Sequence, residues 1–250
     1  MSIGASLLVF VAGICAGLIN TVVGSGTLIT FPALLAVGLP PVTANVSNTV
    51  GLFPGSFVGA YGYRRELAGQ RSRVLQLGVA SVVGGVCGAV LLLVLPASAF
   101  RDVVPALIVL ALLLVVLGPR ITAWAAGRGH AVSDRVGVPM WIATAATGVY
   151  GGYFGAAQGV VLMGFLGILL ADTVQRHNAL KNVLAGLVNL VAAIVFVLTS
   201  HIDWLAAGLI AVGAMLGGLM GARVGRRLSP AVLRALIVVI GCVAIVSLLR

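Results

Sequence analysis

The stretch "GLINTVVGSGTLITFPALL" (residues 17–35) decides how this chain is read. It lies within an apolar run from about residue 4 to residue 38. Yet its middle carries Asn20, Thr21, Gly24, Ser25, Gly26, Thr27, Thr30 and Pro32. In hydrocarbon, an unpaired backbone N–H or C=O costs several kcal/mol. A polar, glycine-rich interruption is therefore tolerated only where protein buries it or water lines it. "NTVVGSGT" has the composition of a helix break at membrane depth.

The composition agrees. Hydrophobic residues make up 61% of the 250, charged residues only 8%, and the mean hydropathy is +1.21. A soluble domain carries about 25% charged residues, so this chain cannot cover a water-facing surface. The expected class is an all-α polytopic membrane protein with the lipid bilayer as its main surroundings. The apolar runs lack the period-2 alternation of a barrel strand. A net charge of +10 suggests nucleic acid in a soluble protein. Here the basic residues are spread thinly over short loops, so no nucleic-acid partner is expected. The N-terminus "MSIGASLLVFVAGICAG" lacks the basic region of a signal peptide and reads as a first membrane segment. Cys15, Cys87 and Cys242 have no metal-type spacing and read as small packing residues. Neither a cofactor nor a metal is expected.

The chain contains an apparent internal repeat. Laying "GICAGLINTVVGSG" (13–26) on "GVYGGYFGAAQGVV" (148–161) pairs Gly13 with Gly148, Gly17 with Gly152 and Gly24 with Gly159. The same register pairs Ala44 with Ala179 and Ser47 with Asn182. Farther on, "GGVCGA" (84–89) matches "GGLMGA" (217–222), and "LPASAFR" (95–101) matches "LSPAVLR" (228–234). The two glycine motifs read as close-packing helix seams. The expected organisation is repeat 1 over 1–119, a cytoplasmic linker over 120–138 and repeat 2 over 139–250.

Each half shows five apolar runs: 4–20, 26–38, 43–62, 74–95 and 102–119, then 139–156, 159–171, 178–199, 204–222 and 231–249. Spanning takes about 20 helical residues. The second run of each half is too short and reads as a half-helix, a re-entrant piece or a mismatched span. Eight to ten membrane segments result, depending on how these are counted. With five crossings per half, 13 of the 15 Lys and Arg fall on one side, the cytoplasmic one. An odd number inserts the second half upside down. Two inverted-topology repeats are therefore expected, in the cytoplasmic membrane with both termini outside.

The candidate site follows. Helices starting at Gly26 and Gly159 would aim free N–H groups at the protein's middle, a setting that favours anions. Asn20, Ser25, Thr27 and Gln158 offer uncharged donors beside them. The third segments are also polar. "TANVSNTVGLFPGS" (43–56) carries Asn45 and Asn48, and "NALKNVLAGLVN" (178–189) puts Asn178, Lys181, Asn182 and Asn189 on one helix face. Lys181 either snorkels to the headgroups or supplies charge to an anion. The substrate-binding set is thus Asn20, Thr21, Gly24, Ser25, Gly26, Thr27, Asn45, Asn48, Gln158, Gly159, Asn178, Lys181 and Asn182. Glu66, Asp102, Asp134, Asp172 and Asp203 all lie at segment ends, so a buried carboxylate relay has no candidate. A small anionic substrate fits this balance. Gly24-Ser25-Gly26 invites comparison with a membrane serine protease, but no histidine is in reach as base, so no enzyme is expected. A passive channel or a structural subunit is the alternative. Oligomeric state is left open.

The breaks "GLINTVVGSGTLITFPALL" and "GVYGGYFGAAQGVVLMGFLGI" resemble those of the sulfite exporter TauE/SafE family. So do "NALKNVLAGLVNLVAAIVF" and "HIDWLAAGLIAVGAMLGGLMGARVGRRLSPAVLRALIVVIG", and the similarity covers nearly the whole chain. The resemblance implies a permease that exports sulfite, organosulfonates or related small anions. Two positions depart from a strict repeat: Leu166-Gly167 stands where the first half has Phe31-Pro32, and Val160-Val161 where it has Ser25-Gly26.

Overall fold

A computed structural model describes residues 1–126 and 135–224, with residues 235 and 237–239. Nine α-helices run through it in order: α1 (Ile3–Val22), α2 (Thr27–Ala36), α3 (Pro41–Gly62), α4 (Arg71–Val94), α5 (Ala97–Ala126), α6 (Val138–Tyr153), α7 (Gln158–Leu169), α8 (Val174–Thr199) and α9 (Trp204–Val224). Five of them, α1, α4, α5, α8 and α9, are long and apolar enough to cross a membrane. α3 has 22 residues, but its Asn, Ser and Thr content makes it less apolar. The expected tenth segment, "LSPAVLR", Cys242 and the linker residues 127–134 lie wholly or largely outside the described residues.

The short runs are real. α2 has 10 residues and α7 has 12, which is about 15 and 18 Å of helix. Neither spans. Val136, just before α6, and Ala171, just after α7, line the same cavity beside Arg73 and Arg176. α6 and α7 therefore leave and return to one face as a re-entrant hairpin. α2 packs back on α1 in the same way that α7 packs on α6.

Glycine seams build the frame. α1 runs parallel to α9, with Gly13 against Ile210, Gly17 against Ala214 and Gly217 against Ile14. α6 runs parallel to α4, with Gly84 against Ala145 and Gly88 against Val149. A methyl carbon at Gly17 would lie 2.2 Å from the Ala214 carbonyl oxygen, and one at Gly84 2.1 Å from that of Ala145. Such approach lets backbones pack where apolar attraction between helices is absent. The seam reading of "GGVCGA" and "GGLMGA" therefore holds. Cys87, by contrast, is exposed and Cys15 is half-buried. α3 and α8 lie at the centre, against each other and against α9 and α4 respectively.

At the end of the bundle away from the arginine cavity, four rings close over the breaks. Phe31 of α2 meets Phe154 with centroids 5.3 Å apart and Phe100 of α5 at 6.5 Å, both edge-on. Tyr153 meets Phe100 at 5.7 Å. Phe31, Phe100 and Phe154 are all buried.

Candidate functional site

Both helix breaks have the same local form. At the end of α1, Val23 and Gly24 both donate N–H to the Ile19 carbonyl; at the end of α6, Phe154 and Gly155 both donate to that of Tyr150. Gly24 (φ +91°) and Gly155 (φ +78°) then turn the chain through the left-handed region, where glycine has no steric penalty. By conformation Gly24 corresponds to Gly155, four residues from its expected partner Gly159. The α2 cap is Gly26 and the α7 cap is Ala157. Ala157 sits at φ +59°, a strained setting for a residue with a Cβ.

Gly159 instead meets Gly24 in space. Its N–H donates to the Gly24 carbonyl at 3.0 Å. A Cβ on Gly159 would lie 2.5 Å from the Gly24 Cα and 3.0 Å from Cδ of Lys181. The two breaks thus cross in direct contact, with the Lys181 stem alongside. The expected free N–H of Gly159 is taken by the other half.

Breaking a helix leaves carbonyls without partners, and the polar stripes of α3 and α8 supply them across the halves. Lys181 Nζ donates to the carbonyls of Asn20 at 3.0 Å and Thr21 at 3.2 Å. Asn178 and Asn182 both donate Nδ2 to the Thr21 carbonyl, at 3.1 and 3.2 Å. In the reverse sense Asn45 of α3 donates to the Tyr153 carbonyl of α6 at 2.9 Å. Lys181 is fully buried, so it does not snorkel. Its Nζ therefore caps the broken end of α1 from within the protein.

The remaining candidates divide into partnered and unpartnered groups. Asn48 donates Nδ2 to Thr27 Oγ1 at 3.2 Å and accepts from Thr30 Oγ1. Asn20 donates Nδ2 to Ser56 Oγ at 3.1 Å. Asn189 is half-buried on the outer part of α8, away from the break. Four buried atoms around the crossing have no partner among the described residues: Ser25 Oγ, Thr21 Oγ1, Gln158 Nε2 and Asn178 Oδ1. The N–H groups of Ser25, Gly26 and Thr27 open α2 beside them.

The sequence reading missed a second cluster, at the arginine-rich end. Asp172, between α7 and α8, lies 2.6 Å from Arg73 Nη1 and 2.7 Å from Arg176 Nε. Burial pushes its carboxyl up, but hydrogen bonds from Arg176, the Thr173 N–H and Arg73 outweigh this and hold it below the usual carboxylate range. Arg176 Nη1 also donates to the Ala68 carbonyl at 2.9 Å, and Gln70 Nε2 to the Arg176 carbonyl at 3.1 Å. The only sequence signal was an acid at a segment end.

Comparison with known proteins fits this architecture. The sulfite exporter TauE/SafE family model matches residues 9–248. The chain belongs to the TauE/SafE family. It is 27% identical over 242 residues to "Probable membrane transporter protein YfcA" of Escherichia coli K12, covering 96% of this chain and 88% of that one. It is 28% identical over 252 residues to "Probable membrane transporter protein ORF9" of a Sinorhizobium species, with coverage of 96% and 90%. A "Probable membrane transporter protein" of Haemophilus influenzae is 24% identical over 243 residues, covering 96% and 93%. This TauE/SafE chain is a membrane transporter. Its crossed breaks and its arginine cluster are thus features of a transport protein.

Proposed function

We propose that the protein is a secondary carrier of a small oxyanion, such as sulfite or an organosulfonate, across the cytoplasmic membrane. It works by alternating access between two inverted halves. The observation that carries this reading is the crossing itself. There Ser25 Oγ, Thr21 Oγ1 and Gln158 Nε2 are buried without partners among the described residues, next to the N-terminus of α2 and the Lys181 side chain. Helix N-termini and hydroxyl or amide donors suit an oxyanion. The paired arrangement supports inverted repeats: α1 lies on α9 as α6 lies on α4, and each half's polar helix caps the other half's break. Arg73, Arg135 and Arg176 around one cavity support a single basic, cytoplasmic side.

A passive channel fits less well, because Gly24 and Gly159 leave no room for even a methyl group between the breaks. The test uses the unpartnered atoms. Removing a buried polar atom that has no partner in the fold should leave stability unchanged or raised. Ser25→Ala and Gln158→Leu are therefore expected to keep the wild-type melting temperature and to lower sulfite flux in proteoliposomes at least tenfold. Full flux in both variants would reject the site. Flux that neither saturates nor responds to counter-substrate would reject the carrier.

A further inference from the structure

The arginine-rich end holds a cavity of about 670 Å³, lined by Ser72, Arg73, Gln76, Arg135, Asp172 and Arg176 among others. Three arginines and one carboxylate share this lining, and Arg73 and Arg176 hold the carboxylate. The carboxylate sits on the Arg73 and Arg176 N–H groups at 2.6 and 2.7 Å, the positions an oxyanion would take. A guanidinium fork donates to sulfonate, sulfite or phosphate oxygens as it does to carboxylate oxygens.

The same carboxylate joins parts of the chain far apart in sequence. Arg73 belongs to α4, and its Nη2 also reaches the Ala171 carbonyl at 3.3 Å. Arg176 at the head of α8 reaches the Ala68 carbonyl, and Gln70 reaches back to the Arg176 carbonyl. The segment before α4 is thereby tied to the segment before α8. Beneath these ties lie α7, its return to this face and the crossing.

We propose that this cavity is a second small-oxyanion site, where the arriving anion displaces Asp172 from Arg73 and Arg176 and so releases the clamp between the two halves. Asp172 acts as a built-in substitute for the anion, holding this side shut until one arrives. This rests on the oxyanion-carrier reading above and adds the step that opens the arginine-rich side.

The test is hydrogen exchange of residues 63–76 and 171–177, read by mass spectrometry on the full chain in phosphatidylcholine nanodiscs. Sodium sulfite is titrated against sodium chloride of matched ionic strength, since simple screening also weakens ion pairs. In the wild type, sulfite is expected to speed exchange of 171–177 at least threefold and chloride to leave it unchanged. Asp172→Asn is expected to exchange at the faster rate without sulfite and to gain nothing from it. Ser25→Ala, altered only at the crossing, should keep the sulfite response.

Equal responses to chloride and sulfite, or no response to either, overturn the proposal. So does slow, wild-type exchange in Asp172→Asn. Nanodiscs containing phosphatidylglycerol separate the remaining source of phosphate chemistry: a full response to that lipid with none to sulfite assigns the cavity to a headgroup and overturns the substrate assignment. Flux is measured on the same preparations. Flux without an exchange response rejects the clamp and keeps the carrier; an exchange response without flux keeps the site and rejects the carrier.

Discussion

At the residue scale, Lys181 is fully buried. Its Nζ donates to two carbonyls at the α1 break. Lys181→Met would strand the Asn20 carbonyl in a dry site, at about 1–3 kcal/mol, while Asn178 and Asn182 still serve the Thr21 carbonyl. A drop in detergent melting temperature of many degrees is expected, with Lys181→Gln falling between Met and wild type because one donor remains. Gly159 gives the second prediction. Gly159→Ala drives a methyl group into Gly24, so the crossing must part. Overpacking of this kind costs about 1–3 kcal/mol, and flux should fall with it. Gly208 serves as its control, since a methyl there meets nothing within 4 Å. Gly208→Ala should raise stability by about 0.5–1 kcal/mol through helix propensity alone. Helical spacing put Asn178, Lys181 and Asn182 on one face, and that much was legible in the sequence. What the face touches was not, because periodicity reports orientation about an axis and says nothing of the neighbour. The expectation of a free amide at Gly159 failed for the same reason: its acceptor lies 135 residues away in the chain.

At the scale of elements, the short second run of each half was legible from length alone, and the helix starts at Thr27 and Gln158 lie within one residue of the expected Gly26 and Gly159. Whether those runs spanned or turned back was not legible. That outcome depends on the hairpin partner, and the packing of α6 with α7 settles it for the second half. The expected glycine pairing does not match the turns. Glycine matches between helices reward seam residues such as Gly17 and Gly152, whereas the turn is set by the left-handed residues Gly24 and Gly155. The aromatic closure gives a prediction at this scale. Phe100 is buried against Phe31, Tyr153 and Phe154. Phe100→Ala should cost about 3–5 kcal/mol and expose the crossing to thiol reagents from the side away from the arginines, checked with Ser25→Cys as the reporter.

At the scale of the molecule, the distribution of charge was legible and its use was not. The sequence count put most arginines on one side, and the structure brings Arg73, Arg135 and Arg176 to one cavity. That Asp172 would bind two of them required the loops in place. Its carboxyl is held below the usual range, so its contribution to stability is complete above the unfolded value of about 3.9 and is lost only as pH falls through the lower folded value. Wild-type melting temperature should therefore hold as pH falls from 6 to about 4 and decline below that, while Asp172→Asn should lack this part of the decline. Scanning both proteins from pH 6 to pH 3 checks the sign.

The reciprocal capping has a consequence for biogenesis. The carbonyls of Asn20 and Thr21 wait for donors on α8, which leave the ribosome some 160 residues later. At synthesis rates of about 5–20 residues per second, that interval is roughly 8–30 s. Throughout it, the first hairpin must rest beside the translocon with its broken end hydrated or held by another protein. A fragment carrying only the first half should therefore be degraded when expressed alone and rescued when the second half is made in the same cell.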